Sequence, residues 1–195
     1  NKESLVENIN NGNSESSSSK AANTANNGEE LSTVEIAKKV GPSVVGIIST
    51  IQTGINIFGG TSTSQGSGSG IIMSSDGYIV TNKHVVGSGT EFTIIFSDES
   101  SETATLVGYD VLTDIAVLKC PRVGLLPMEF GDSTTLTVGQ TLLAIGNPYG
   151  YTWSLTSGMV SGLERMVSTS SSSSIIPNMI QTDALINPGN SGGPL

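Results

Sequence analysis

One serine of this sequence lies among glycines in a way that suits nucleophilic chemistry. Ser191 stands in the run Asn-Pro-Gly-Asn-Ser-Gly-Gly-Pro at positions 187–194. Glycines on both sides of a serine let the backbone turn tightly and leave N–H groups free to stabilise an oxyanion. The same pattern is typical of an ordinary glycine-rich turn, so Ser191 becomes a candidate nucleophile only if the chain supplies a base.

The partners of Ser191 have to lie upstream, because only four residues follow it and none is acidic or histidine. This excludes the nucleophile elbow of α/β-hydrolases, in which the acid and the histidine come after the serine. His84 is the one histidine, and Asp114 and Asp110 are two carboxylates that could orient it. Taken singly, the histidine is typical of a packed residue and either aspartate of a turn. The order His84, Asp114, Ser191 is that of the chymotrypsin-type triad.

Composition excludes several other kinds of site. The chain has one Cys and one His among 195 residues, which rules out a disulfide framework, a CxxC site and a multi-histidine metal centre. Its formal net charge of -9 argues against nucleic acid or an anionic membrane surface as the main partner. We therefore expect no metal and no cofactor, and we interpret Cys120 as a buried thiol without function.

Short β-rich runs that follow a brief helix must position these residues. Ser32 and Glu35 have the spacing of a capping box, and Gly41-Pro42 predicts the end of that helix. Evenly spaced strands with glycine-rich turns are typical of an all-β barrel or sandwich, here two in tandem. The stretches 54–68 and 168–174 are predicted to be mobile loops. The predicted strands are 44–51, 70–73, 78–81, 92–96, 103–108, 115–119, 140–145, 153–166 and 179–182.

Residues 1–30 differ from the rest, because they are almost entirely Asn, Ser, Glu, Gly and Ala. Such a stretch has too little apolar surface to offset its ordering entropy, so we predict a disordered linker. The chain begins at Asn1 without a signal or anchor and stops at Leu195 within an apolar run. We therefore expect an internal fragment of a longer protein.

Four stretches resemble the HtrA/DegP family of trypsin-like serine proteases, which act in protein quality control. The resemblance runs from about Val34 to Leu195. It is carried by Gly-Ser-Gly-Ile-Ile-Met-Ser-Ser-Asp-Gly-Tyr-Ile-Val-Thr-Asn-Lys-His-Val-Val at 68–86, Asp-Val-Leu-Thr-Asp-Ile-Ala-Val-Leu-Lys at 110–119, Ala-Ile-Gly-Asn-Pro-Tyr-Gly at 144–150, and Gln-Thr-Asp-Ala-Leu-Ile-Asn-Pro-Gly-Asn-Ser-Gly-Gly-Pro-Leu at 181–195.

The resemblance implies an all-β fold, a chymotrypsin-like double six-stranded β-barrel whose second barrel is truncated in this chain. Residues 31–195 would form the protease domain. Its first barrel, with the short N-terminal helix, would span 31–122, and the incomplete second barrel 123–195. Because an unclosed barrel exposes strand edges, we predict that the chain is inactive or aggregation-prone by itself.

The resemblance also implies a role for each candidate residue. His84 matches the general base and acid, and Ser191 the nucleophile. Asp114, rather than Asp110, matches the carboxylate that orients the imidazole. The backbone N–H groups of Gly189 and Ser191 match the oxyanion hole.

Specificity and regulation follow from the same resemblance. In chymotrypsin-like folds the residue six before the serine lies at the base of the P1 pocket, and here it is Leu185. An uncharged base cannot pair a buried Lys or Arg, so we predict small or medium apolar P1 residues. Residues 149–157 and 167–177 match regulatory loops of the family.

The implied function is a serine endopeptidase that cleaves unfolded or damaged extracytoplasmic proteins through an acyl-enzyme. The alternative is a chaperone-like polypeptide-binding module with a latent protease site. The partners would be unfolded polypeptides, and the resemblance implies a homotrimer. The location would be the cell envelope or the exterior, with membrane attachment only through an anchor absent from this chain.

Overall fold

Strands make up most of the part of the chain that the structure describes. The computed structural model describes residues 31–55, 61–147, 153–168 and 175–195. The predicted linker, residues 1–30, lies outside the described residues. The strands are β1 (Val44–Ile55), β2 (Thr61–Ile72), β3 (Tyr78–Asn82), β4 (Glu91–Ile95), β5 (Ser101–Asp110), β6 (Ile115–Lys119), β7 (Thr141–Gly146), β8 (Ser154–Ser168) and β9 (Ile175–Thr182).

Two short helices accompany these strands. Helix α1 spans Thr33–Val40, and helix α2 spans Lys83–Val86. The Ser32 hydroxyl accepts a hydrogen bond from the Glu35 N–H, and the Glu35 carboxylate accepts one from the Ser32 N–H. This reciprocal capping box confirms the helix start predicted from the sequence. Within the described residues, no helix is long and apolar enough to cross a membrane.

The first six strands close into a barrel in the order β1-β2-β3-β6-β5-β4. All neighbouring strands are antiparallel, and Val80 of β3 pairs with Ile71 of β2 on one side and Val117 of β6 on the other. Burial alternates along β3, β4 and β6, as expected for strands with one face on a core. Fully burying one such aliphatic side chain stabilises the fold by roughly 1.5–3 kcal/mol. The barrel core consists of Val45, Ile47, Ile72, Ile79, Val85, Val86, Phe92, Ile94, Phe96, Ala104, Ala116, Leu118 and Cys120.

The chain then forms a second, smaller sheet. Strands β7, β8 and β9 are antiparallel and lie in that order. In the described residues this sheet has three strands and does not close. A closed six-stranded barrel followed by part of a second one confirms the predicted fold class, a truncated chymotrypsin-like double barrel. The thiol of Cys120 is buried, as predicted.

The predicted loop at 54–68 is wrong for most of its length. β1 continues to Ile55 and β2 begins at Thr61, and the two strands pair along a ribbon that includes Gln52 with Thr63. Exposed Ser, Thr and Gly residues give this ribbon no apolar alternation, so its composition resembles a loop although backbone pairing makes it a strand. Of the other predicted loop, residues 169–174 lie outside the described residues.

Candidate active site

The histidine and one of the two aspartates meet where neighbouring strands end. His84 lies in helix α2, directly after β3, and Asp114 directly precedes β6, which pairs with β3. The Nδ1 atom of His84 lies 2.6 Å from Oδ2 of Asp114, and the His84 backbone N–H donates to Oδ1 at 2.9 Å. A proton on Nδ1 suits this bond, which leaves Nε2 as the basic nitrogen of the ring.

The backbone of Asp114 is itself held in place. Its carbonyl accepts from the Lys83 N–H at 2.8 Å and from Nδ2 of Asn82 at 3.0 Å. Its φ of 58° lies in the left-handed region, which aspartate adopts more readily than most residues other than glycine. The two bonds to its carbonyl therefore hold this backbone conformation, and the two bonds with His84 hold the carboxylate before any substrate binds.

Asp110 has a different role. It accepts from the Leu112 N–H at 3.0 Å and from the Thr113 hydroxyl at 2.9 Å, and these bonds lower the pKa of its carboxyl group. Both partners lie in the turn that joins β5 to β6. The structure thus brings Asp114, and not Asp110, to the histidine.

The loop that carries Ser191 needs its glycines. Gly189 has a φ of 109° and Gly192 a φ of 84°, which L side chains rarely adopt. A Cβ atom at Gly192 would also collide with the carbonyl oxygen of Ser69 and the hydroxyl of Thr81. The serine loop can therefore lie directly against the first barrel at Gly192 only because this position has no side chain.

Hydrogen bonds set the direction of the peptide groups around Ser191. The Asn190 N–H donates to the Asn187 carbonyl at 3.0 Å, and the Gly193 N–H donates to the Asn190 carbonyl at 2.9 Å. Because the N–H and C=O of a trans peptide point in opposite directions, the second bond turns the Ser191 N–H away from Gly193. Among the described residues, neither the Gly189 nor the Ser191 N–H donates to a protein acceptor. Both donors are left for an oxyanion.

His84 and Ser191 line one cavity of about 380 Å³. Gly189 also lines it, and so do Gly66 and Ser67 of β2. Among the hydrogen bonds of the described residues, none joins the Ser191 hydroxyl to His84. Catalytic hydrogen bonds are often long without substrate and shorten when substrate binds, so this arrangement is compatible with a nucleophile and its base.

The structure does not place Leu185 in this cavity. The Leu185 side chain is 62% exposed, and the next residue, Ile186, lines the cavity instead. The Leu185 carbonyl accepts from the Thr156 hydroxyl at 2.9 Å and from Nδ2 of Asn190 at 3.3 Å. These bonds hold the backbone of the segment while the Leu185 side chain faces solvent. The role predicted for Leu185 at the base of the P1 pocket stays a prediction.

Sequence reasoning missed Ser69. This residue of β2 is fully buried, and its hydroxyl donates to the Gly189 carbonyl at 2.5 Å. The available signal was a polar residue between two glycines, Gly68 and Gly70, directly before the apolar residues that enter the core.

Comparison with known proteins shows the family of the chain. Residues 68–195 match the profile of the family described as trypsin-like peptidase domain. Protease Do-like 1, chloroplastic, from Arabidopsis thaliana is 41% identical over 170 residues, which cover 86% of this chain and 39% of that protein. A probable periplasmic serine endoprotease DegP-like from Pseudomonas putida is 49% identical over 131 residues, 67% of this chain and 27% of that protein.

Solved structures show the same relationship. The HtrA-type protease AlgW with a decapeptide has a TM-score of 0.70 and 32% identity, covering 84% of this chain and 55% of that one. The chain belongs to the trypsin-like peptidase family. Within that family, its relatives by sequence and by structure place it with the HtrA/DegP proteases. The chain spans well under half of the length of the two relatives matched by sequence.

Proposed function

We propose that this chain carries the catalytic centre of a serine endopeptidase of HtrA/DegP type. The observation that carries the proposal is the bond of 2.6 Å between His84 and Asp114, beside a cavity that Ser191 shares with His84. Two unoccupied backbone donors, from Gly189 and Ser191, lie next to the candidate nucleophile. A base, its orienting carboxylate, a serine and an oxyanion site are the parts that acyl transfer requires.

In the first half of the proposed reaction, the Ser191 hydroxyl oxygen attacks a peptide carbonyl carbon while Nε2 of His84 takes its proton. The negative charge that develops on the carbonyl oxygen is met by the N–H groups of Gly189 and Ser191. Each such donor is worth roughly 3 kcal/mol in the transition state. The C–N bond then breaks, and the imidazolium gives its proton to the departing amine.

In the second half, water hydrolyses the acyl-enzyme. His84 takes a proton from the water as its oxygen attacks the ester carbon, and it returns that proton to Ser191 when the ester bond breaks. Asp114 stabilises the imidazolium in both halves, because its carboxylate lies 2.6 Å from Nδ1.

The proposed substrates are unfolded or damaged polypeptides outside the cytoplasm. An extended peptide suits a centre that lies in an open cavity between the first barrel and the serine loop. The peptide held by AlgW and the word periplasmic in the name of the Pseudomonas relative support this choice. The division into barrels at residue 122, the homotrimer and the membrane anchor implied by the resemblance stay predictions.

A fluorophosphonate probe tests the proposal in the full-length protein. We expect one adduct, on Ser191, in which an O–P bond forms and fluoride leaves, and we expect no adduct in Ser191→Ala. Labelling that survives Ser191→Ala, or a folded protein that never labels, would refute the proposal. Binding of denatured casein without any labelling would instead support the chaperone-like alternative.

A scan of P1 residues in peptide substrates tests the specificity part of the proposal. We expect faster cleavage after small or medium apolar residues than after Lys or Arg, because neither Leu185 nor Ile186 can pair a buried cation. Leu185→Asp is the informative variant, and it should raise cleavage after Lys and Arg if Leu185 contacts the P1 side chain. A strong preference of the unmodified protein for Arg or Lys would show this specificity to be wrong.

A further inference from the structure

We propose that Ser69, on β2 of the first barrel, is a positioning residue that holds the oxyanion loop in the geometry required for acylation. The inference rests on the proposed function, since it concerns the rate at which Ser191 reacts. It adds a residue that does not touch the substrate and that acts through the peptide groups of the serine loop.

Four hydrogen bonds meet at Ser69, which has no exposed surface. Its hydroxyl donates to the Gly189 carbonyl at 2.5 Å and accepts from the Asn147 N–H at 2.7 Å. Its backbone N–H donates to the Ser191 carbonyl at 2.8 Å. Its own carbonyl accepts from the Thr81 hydroxyl at 2.6 Å. One residue of the first barrel therefore holds both the serine loop and the end of β7.

The bond to Gly189 fixes a peptide group that lies between the two oxyanion donors. The Gly189–Asn190 peptide is held at its carbonyl by Ser69 and at its N–H by the Asn187 carbonyl. Its plane cannot rotate unless both bonds break. The donor N–H of Gly189 comes directly before this peptide and that of Ser191 directly after it. A rotation here would turn one or both donors away from the substrate oxygen.

Among the described residues, the Ser69 hydroxyl is the one group that donates to the Gly189 carbonyl. A Cβ atom at Gly68 would overlap Val85 and come within 3.1 Å of the Ser191 carbonyl. At this position β2 therefore contacts the serine loop with backbone atoms only. Without the Ser69 hydroxyl, the Gly189 carbonyl would have no hydrogen-bond donor among the described residues. An unsatisfied buried carbonyl costs about 1–3 kcal/mol, which favours rotation of that peptide toward another donor or water.

Ser49 provides a matched control. It is a buried serine of the same barrel, on β1, and its hydroxyl donates to the Val86 carbonyl at 2.9 Å. Ser49→Ala removes a buried hydroxyl, as Ser69→Ala does, and leaves the Val86 carbonyl with the Gly89 N–H as its donor, but it does not touch the serine loop. Unfolding in urea measures the stability that each variant loses, so a difference in reaction rate between the two variants under conditions where both are folded reports positioning.

The experiment compares unmodified full-length protein with Ser69→Ala, Ser69→Cys and Ser49→Ala. We expect Ser69→Ala to lower both kcat and the rate of fluorophosphonate labelling by about 10- to 100-fold, because a small misplacement of catalytic groups costs that much. KM and the pH profile of the rate should stay nearly unchanged, since His84 and the cavity walls are intact. Ser49→Ala should label at the rate of the unmodified protein.

Ser69→Cys keeps the shape of the side chain and weakens the donor, so it should fold and label at an intermediate rate even if Ser69→Ala does not fold. A folded Ser69→Ala or Ser69→Cys protein that labels as fast as the unmodified one would overturn the inference. So would equal slowing by Ser49→Ala. If the unmodified protein itself never labels, the proposed function is wrong. If all variants label at the same rate as the unmodified protein, only the positioning role of Ser69 is wrong.

Discussion

At the scale of single residues, the candidate site depends on which carboxylate faces the histidine. Asp114 accepts from both the ring and the backbone of His84, whereas Asp110 accepts only within its own turn. The two aspartates are four positions apart in the sequence and have the same chemistry, so they form a natural pair of variants.

We predict that Asp114→Asn lowers kcat by roughly 10⁴-fold, because an amide favours the wrong tautomer of the imidazole and cannot stabilise its charged form. Asp110→Asn should leave kcat nearly unchanged and slightly lower stability, because the amide oxygen still accepts from the turn. Steady-state cleavage of a peptide by both variants checks this. A larger loss in Asp110→Asn would mean that the catalytic assignment of the two residues is reversed.

The sequence was informative about the triad because its residue types are scarce. A single histidine left one candidate base, and the order His84, Asp114, Ser191 matched a known triad order. Asp114 and Asp110 have the same side-chain chemistry, so only the family resemblance favoured Asp114. Strand register decides which of the two carboxylates faces His84. Ser69 was missed because its partner, Gly189, is 120 positions away, and the local Gly-Ser-Gly pattern does not identify that partner.

At the scale of elements, an ion pair and a cation–π contact form a cluster beyond the ends of β4 and β6. The Arg122 guanidinium lies 2.6 Å from Asp98 and stacks over the Phe96 ring, 4.3 Å from its centroid. This guanidinium, with the hydroxyl and N–H of Ser100, lowers the pKa of the Asp98 carboxyl well below its usual range. The cluster links the turn after β4 to the segment that follows β6.

We predict that Arg122→Ala lowers the melting temperature at neutral pH. The difference in melting temperature between the variant and the unmodified protein should become smaller as the pH falls. The pKa of Asp98 is lower in the folded than in the unfolded state. The contribution of its ionised carboxylate to the free energy of unfolding is therefore full above the unfolded pKa of about 3.9, and it is lost as the pH falls below that value. Thermal melts from pH 7 to pH 2 check this. Lys39→Ala is the control, because its pair with Glu129 is highly exposed and should contribute almost nothing. A loss of melting temperature that becomes larger toward low pH would contradict the pairing of Arg122 with an ionised Asp98.

Elements were predictable where one face is buried. β6 was predicted at 115–119 and spans Ile115–Lys119, because apolar residues alternate with others along it. The ribbon of β1 and β2 beyond Gln52 was not predictable in this way, since Thr53, Ser62 and Thr63 are polar and exposed and leave no periodic signal. There the pairing of the two backbones, rather than burial, decides the structure.

At the scale of the whole described chain, the two sheets differ in closure and in how much apolar surface they expose to solvent. The first barrel is closed, but the β7-β8-β9 sheet is open in the described residues, and large apolar side chains on it face solvent. They include Met159, Met166, Val167, Ile175 and Met179.

We predict that residues 31–195 prepared as a separate polypeptide self-associate and do not cleave casein, because an open sheet with exposed apolar residues offers edges for pairing. Sedimentation velocity over a range of concentrations checks the association. Met166→Lys and Ile175→Lys, two changes of exposed residues, should reduce it. A monomer that cleaves casein would contradict the prediction.

The bonds between Ser69 and the serine loop also bear on the order of events during synthesis. His84, Asp114 and Ser69 belong to the first barrel, which can close before the ribosome has made Ser191, since domains generally fold from the N-terminus as they emerge. The nucleophile then arrives last and docks on a surface that is already folded. A growing chain would therefore contain the proposed base and its carboxylate without the proposed nucleophile, so it could not cut its neighbours before the serine loop is made.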